Sequence, residues 1–118
     1  MKNGNRNVKR ISKVERRGDS ITVVFAVNDN LLDSMIIGGS KVDIRDCLKA
    51  VSRSSLDYST IRFQGTFSLV DKFGNSSEGK VLDMTYNKRD VDRINWDGFL
   101  FGDAFAIASG SWLHPAFQ

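Results

Sequence analysis

The sequence predicts an α+β domain: a mostly antiparallel sheet of four or five strands, with one main helix over about residues 40–54 packed on one face. Three observations carry this. Apolar and polar residues alternate through 20–28, 56–70 and 78–87, the period-two pattern of half-buried strands. Ile44, Cys47, Leu48 and Val51 recur at helical spacing, while Lys41, Arg45, Lys49 and Arg53 step by four along the opposite side. Turn chemistry at Gly18-Asp19 and at 71–75 separates the strand patterns in pairs.

The first strand pattern, 8–16, is mixed, with Val8, Ile11 and Val14 apolar; the turn signal after it makes it a short edge strand. In 20–28 both faces are fairly apolar, as in an inner strand. Asp29 or Asn30 can open a helix with Leu31, Leu32, Met35 and Ile36 on one side, and Gly38-Gly39 is the expected stop. Ser40 followed by Asp43 then resembles a capping box for the main helix. The patterns at 56–70 and 78–87 form a hairpin. Ile61, Phe63, Phe67 and Leu69 share one face with Gly65, and Arg62, Gln64, Thr66 and Ser68 the other. Across the turn, Leu82, Met84 and Tyr86 point inward and Val81, Asp83 and Thr85 outward. Gly65, in mid-strand, marks a bulge or a close backbone approach. Asn87 and Asp90 suit a short helical turn with Val91 and Ile94 buried. The aromatic-rich end is expected to dock, with a short irregular or β segment at 104–108.

At 118 residues, 41% hydrophobic and 26% charged, the chain suits one core-bearing domain, 8–118, preceded by a disordered basic arm, 1–7. It contains no apolar run near the roughly 18 residues a membrane helix needs. The start has no apolar stretch of the signal-peptide kind, so the chain reads as cytoplasmic. If Met1 stands in place of a removed signal or lipid anchor, the same Asn-rich start reads as an extracytoplasmic linker. Residues 1–20 hold seven basic residues, Lys2 and Arg6 among them, against Glu15 and Asp19, a net +5; the rest of the chain carries −2.

Enzyme chemistry is thinly represented. The single Cys47 lies in the helix stripe, where a cysteine behaves as a small hydrophobe. The single histidine, His114, precedes Pro115, and one histidine among scattered carboxylates makes no zinc set. Asp29/Asp33, Asp43/Asp46 and Asp90/Asp92 read as caps and solvated faces, and "GGSK" lacks the spacing of a phosphate loop. No metal or cofactor is expected. The leading expectation is a non-enzymatic binding or accessory domain that recognises a protein or other macromolecule through sheet surface and hairpin. Its contact residues would be Phe73, Lys72, Asn75, Arg62 and Gln64. The first alternative is nucleic-acid binding through Lys9, Arg10, Lys13, Arg16 and Arg17, although no aromatic residue interleaves them for stacking. The second is a small enzyme using Cys47 or His114.

Overall fold

The structure, a computed structural model, describes Met1 and residues 3–118; Lys2, counted in the basic segment, lies outside the described residues. Its elements are β1 (Ile11–Arg17), β2 (Ser20–Ala26), α1 (Asp33–Ser52), β3 (Thr60–Val70), β4 (Ser76–Asn87), α2 (Lys88–Asp92) and β5 (Gly110–Leu113). The strands make one sheet in chain order. Three pairings are antiparallel; β2 and β3 run parallel. The parallel pair follows from α1. A helix of 20 residues spans about 30 Å, enough to carry the chain back along a seven-residue strand to the start of β3. The α+β class with a mostly antiparallel sheet therefore holds, with β1 as an edge and β2 as an inner strand.

Register and alternation stack the core. Ile21, Ile61 and Tyr86 lie side by side across β2, β3 and β4, followed by Val23, Phe63 and Met84, then Phe25, Gly65 and Leu82. These side chains are buried, and Ile36, Ile44 and Leu48 of α1 belong to the same cluster. Tyr86 anchors the last third of the chain: its hydroxyl donates to the Ala104 carbonyl at 2.6 Å, and its ring meets Phe63 edge-on at 6.0 Å.

Four local expectations are corrected. The helix does not begin at 40. It begins at Asp33 and runs through Gly38-Gly39, because burial of Ile36, Ser40, Ile44 and Leu48 every fourth residue holds one continuous stripe across the glycines. Ser40 is consequently no cap; its hydroxyl donates back to the Ile36 carbonyl at 3.1 Å, and Asp43 pairs with Arg10. Leu31, Leu32 and Met35, expected to pack beside Ile36, are exposed, Leu31 by 94%. Val81 points inward: a bulge sets Val81 and Leu82 together against Gly65, and both are buried. The late β segment is not at 104–108, where turns follow a 3-10 turn at Phe101–Asp103. It is β5, held by Leu82–Thr85 of β4.

Gly38 makes a first prediction. A methyl group there would meet nothing within 4 Å. Gly38→Ala should raise stability by about 0.5–1 kcal/mol, since glycine is the costlier residue inside a helix. A higher urea midpoint at unchanged slope checks it.

Candidate polar sheet face and hairpin

The face opposite the buried cluster carries Lys13, Glu15 and Arg17 of β1, Thr22 of β2, Arg62 and Gln64 of β3, Asp83 and Thr85 of β4, and Trp112 of β5. At its centre is a charged ladder. Arg62 Nε donates to Asp83 at 2.7 Å, and its second nitrogen donates to the other carboxylate oxygen. Lys80 Nζ donates to the same carboxylate at 2.9 Å and lies 5.2 Å from the centre of the Trp112 ring. The bulge builds this arrangement. The extra residue at 81 puts Lys80 and Asp83, three apart, on one face of a strand whose ordinary period is two.

Asp83 is buried although it faces outward. Burial alone would raise its pKa; the hydrogen bonds from Arg62 and Lys80 outweigh that and hold the carboxyl below the ordinary value. The sign follows directly. An acid with a depressed folded pKa contributes stability above its unfolded pKa, near 4, and that contribution is lost as pH falls through the folded value. Stability of the native chain should therefore fall in acid, and Asp83→Asn should flatten that limb. Urea titrations from pH 6 down to pH 2 check it; parallel curves would count against the ladder.

The hairpin tip is separate from this ladder. Gln64 and Val70 are six strand residues apart, roughly 20 Å at about 3.3 Å per residue, and the turn lies beyond. Asp71 organises the turn by accepting hydrogen bonds from the Phe73 and Asn75 amides at 2.8 and 2.9 Å, and Gly74 takes the positive φ of 82° that the turn needs. Phe73 is 78% exposed, with Lys72 Nζ 5.3 Å from its ring centre. The sequence-derived contact residues thus form two groups, Arg62 with Gln64 on the face and Lys72, Phe73 and Asn75 at the tip. The alternation located Arg62. It missed Lys80 and Trp112, which depend on the bulge and on β5.

The basic segment is dispersed. Arg10 is largely buried against Asp43. Lys13 and Arg17 flank Glu15, at 3.2 and 3.0 Å. Arg16, on the other face, donates to the Asp57 carbonyl. Lys9 is exposed. Asn5 and Arg6, from the stretch expected as an arm, are anchored. Asn5 donates to the Asp29 carbonyl, and Arg6 donates to the Val27 and Thr66 carbonyls and to Glu78.

Cys47 is half-buried beside the core, and burial pushes its thiol pKa up. Less thiolate at a given pH means less nucleophile. Cys47 should accordingly react more slowly with Ellman's reagent at pH 8 in the native chain than in urea; equal rates would contradict this. His114 takes a local role, its Nδ1 accepting from the Ala116 amide at 3.1 Å. Neither residue lines the clefts around Ile94 and Phe99, about 580 Å³, or around Tyr58 and Lys88, about 640 Å³. Among the described residues, no three metal-ligating side chains cluster, and no helix is long and apolar enough to cross a membrane.

Comparison with protein-family models, with curated proteins and with solved structures finds no match to this chain.

Proposed function

We propose that the chain is a non-enzymatic binding domain that holds a protein partner on the polar face of its sheet and on the β3–β4 hairpin. The observation that supports this best is the Arg62–Asp83–Lys80–Trp112 ladder, which sets a half-exposed tryptophan and two cations on a sheet face. Tryptophan and arginine are the residues in which interface energy concentrates. Asp83 already satisfies part of the cations' hydrogen-bonding capacity and fixes their positions, so little side-chain freedom is lost on contact. The exposed Phe73 supplies a second anchor roughly 20 Å or more along the hairpin, a span suited to a macromolecule rather than to a metabolite.

Photo-crosslinking residues placed at Gln64 and at Phe73 test the proposal in cells that express the chain, with Ser54, two residues past the end of α1, as control. The expected result is one protein adduct shared by positions 64 and 73, absent from 54 and lost with Trp112→Ala. No adduct from either position would overturn it, as would salt-sensitive capture of RNA or DNA in place of protein.

A further inference from the structure

A second surface lies where α1 begins. Leu31, Leu32 and Met35 are exposed there, although the helical spacing would have let them pack beside Ile36. The 3-10 turn at Phe101–Asp103 lies along the same half of α1, so Phe101 joins Ile37 and Phe117 in a groove of about 410 Å³, with Leu100, 70% exposed, just outside it. The groove continues toward the hairpin base, since Phe117 meets Phe67 edge-on at 5.8 Å. An exposed apolar surface of this extent on a small domain is unusual for an unpartnered face.

Its rim identifies the occupant. Asp33, which lines the groove, and Asp103, next to Phe101 and Gly102, are exposed and make no ion pair among the described residues. Among the described residues one lysine lines the groove, Lys41, and it is engaged with the Phe105 ring at 5.3 Å. A chain of net charge +3 thus keeps two unpaired acidic side chains beside an apolar groove. Such a pair repels an anionic lipid headgroup and attracts cationic side chains that flank an apolar stripe. We infer that this groove binds an amphipathic helix of a partner protein, with apolar residues at helical spacing and Lys or Arg along both flanks. The helix would lay its stripe over Leu31, Ile37 and Phe101 and place its cations against Asp33 and Asp103. This surface is separate from the polar sheet face, and its failure would leave the sheet-face proposal standing.

Fluorescence anisotropy of the full chain with a labelled synthetic helix of leucine and lysine, leucines at i, i+3, i+4 and i+7, tests it. Two controls keep the composition or the pattern: a scrambled Leu/Lys peptide, and the same helix with glutamate for lysine. The expected result is saturable binding of the patterned cationic helix alone. Two variant pairs, Leu31→Ser with Phe101→Ser and Asp33→Lys with Asp103→Lys, should each weaken it by about tenfold or more, as loss of central anchors does. All four positions are solvent-exposed, and unchanged circular dichroism and melting confirm that the variants fold. Equal binding of either control peptide would overturn the inference, as would insensitivity to both variant pairs. So would a wild-type dimer in sedimentation that the Leu31/Phe101 pair converts to monomer, since the occupant would then be a second copy. Leu31-dependent adsorption to anionic vesicles would overturn it in favour of lipid.

Discussion

Replacing Arg10 by methionine is expected to cost about 3–5 kcal/mol, because it strands the Asp43 carboxylate in the interior. The Arg10 and Asp43 side chains are only 12% and 4% exposed, and the Arg10 guanidinium lies 5.9 Å from the Phe25 ring centre. The pair is poorly completed, since Arg10 Nε and one terminal nitrogen are buried with no partner among the described residues. Two consequences separate cleanly. Removing one charge is severe; removing both, in Arg10→Met with Asp43→Leu, should restore most of the loss, because apolar groups of similar size do not have to leave water as ions. Urea unfolding of the two single variants and the double variant, closed as a thermodynamic cycle, checks this. A single-variant loss below about 1 kcal/mol would place the pair among solvated surface ion pairs instead.

Gly65→Ala is the second large effect expected, with a sign opposite to that of Gly38→Ala. A methyl group at 65 would lie 2.7 Å from Leu82 Cγ and 2.8 Å from Val27 Cγ2. Both neighbours are fully buried, and the Leu82 atom is a branch point rather than a chain end, so neither has room to move. Overpacking of this kind costs about 1–3 kcal/mol, and each kcal/mol corresponds to a melting-temperature loss of about 4 °C in a domain of this size. Gly79→Ala is the internal control. Its methyl group would also come within 2.7 Å of a neighbour, but that neighbour is the terminal Cδ1 of Leu69 on the projecting hairpin, which can rotate away. Thermal melts of the two variants should differ clearly; equal losses would remove the immobility of the buried neighbours from the explanation.

The sequence made most of the sheet legible because burial imposes a period of two, and Ile21, Val23 and Phe25, like Ile61 and Phe63, obey it without interruption. It also marked Gly65, since a glycine among aromatic and branched residues has little reason to be there except space. It did not show which opposite residue would turn inward, because the bulge lies on β4 while the glycine lies on β3. The continuity of α1 was hidden by Gly38-Gly39: local propensity argued for a stop between two helices, and a tertiary stripe beginning at Ile36 overrode it. β5 has four residues and finds its partners 25 to 31 positions earlier, from Thr85↔Gly110 to Leu82↔Leu113, too short a pattern to register by itself. For the candidate surface, alternation exposed Arg62 and Gln64 and turn chemistry exposed Phe73. The Asp83–Lys80–Trp112 part needed the bulge and β5 together, and the acidic side of the groove needed residues 33 and 103 brought together by the fold.

The anchoring of Arg6 has a bearing on assembly. β2 stops pairing with β3 at Thr66, so the backbone from Phe67 to Val70 continues with its flank unoccupied, a template on which another chain's strand can grow. Arg6 closes the corner where that growth would start, its guanidinium plugging the Val27 and Thr66 carbonyls while Glu78 pins it in place. Arg6 thus occupies the place where an added strand would begin, and a chain trimmed past Arg6 is expected to self-associate more readily than the full chain in sedimentation.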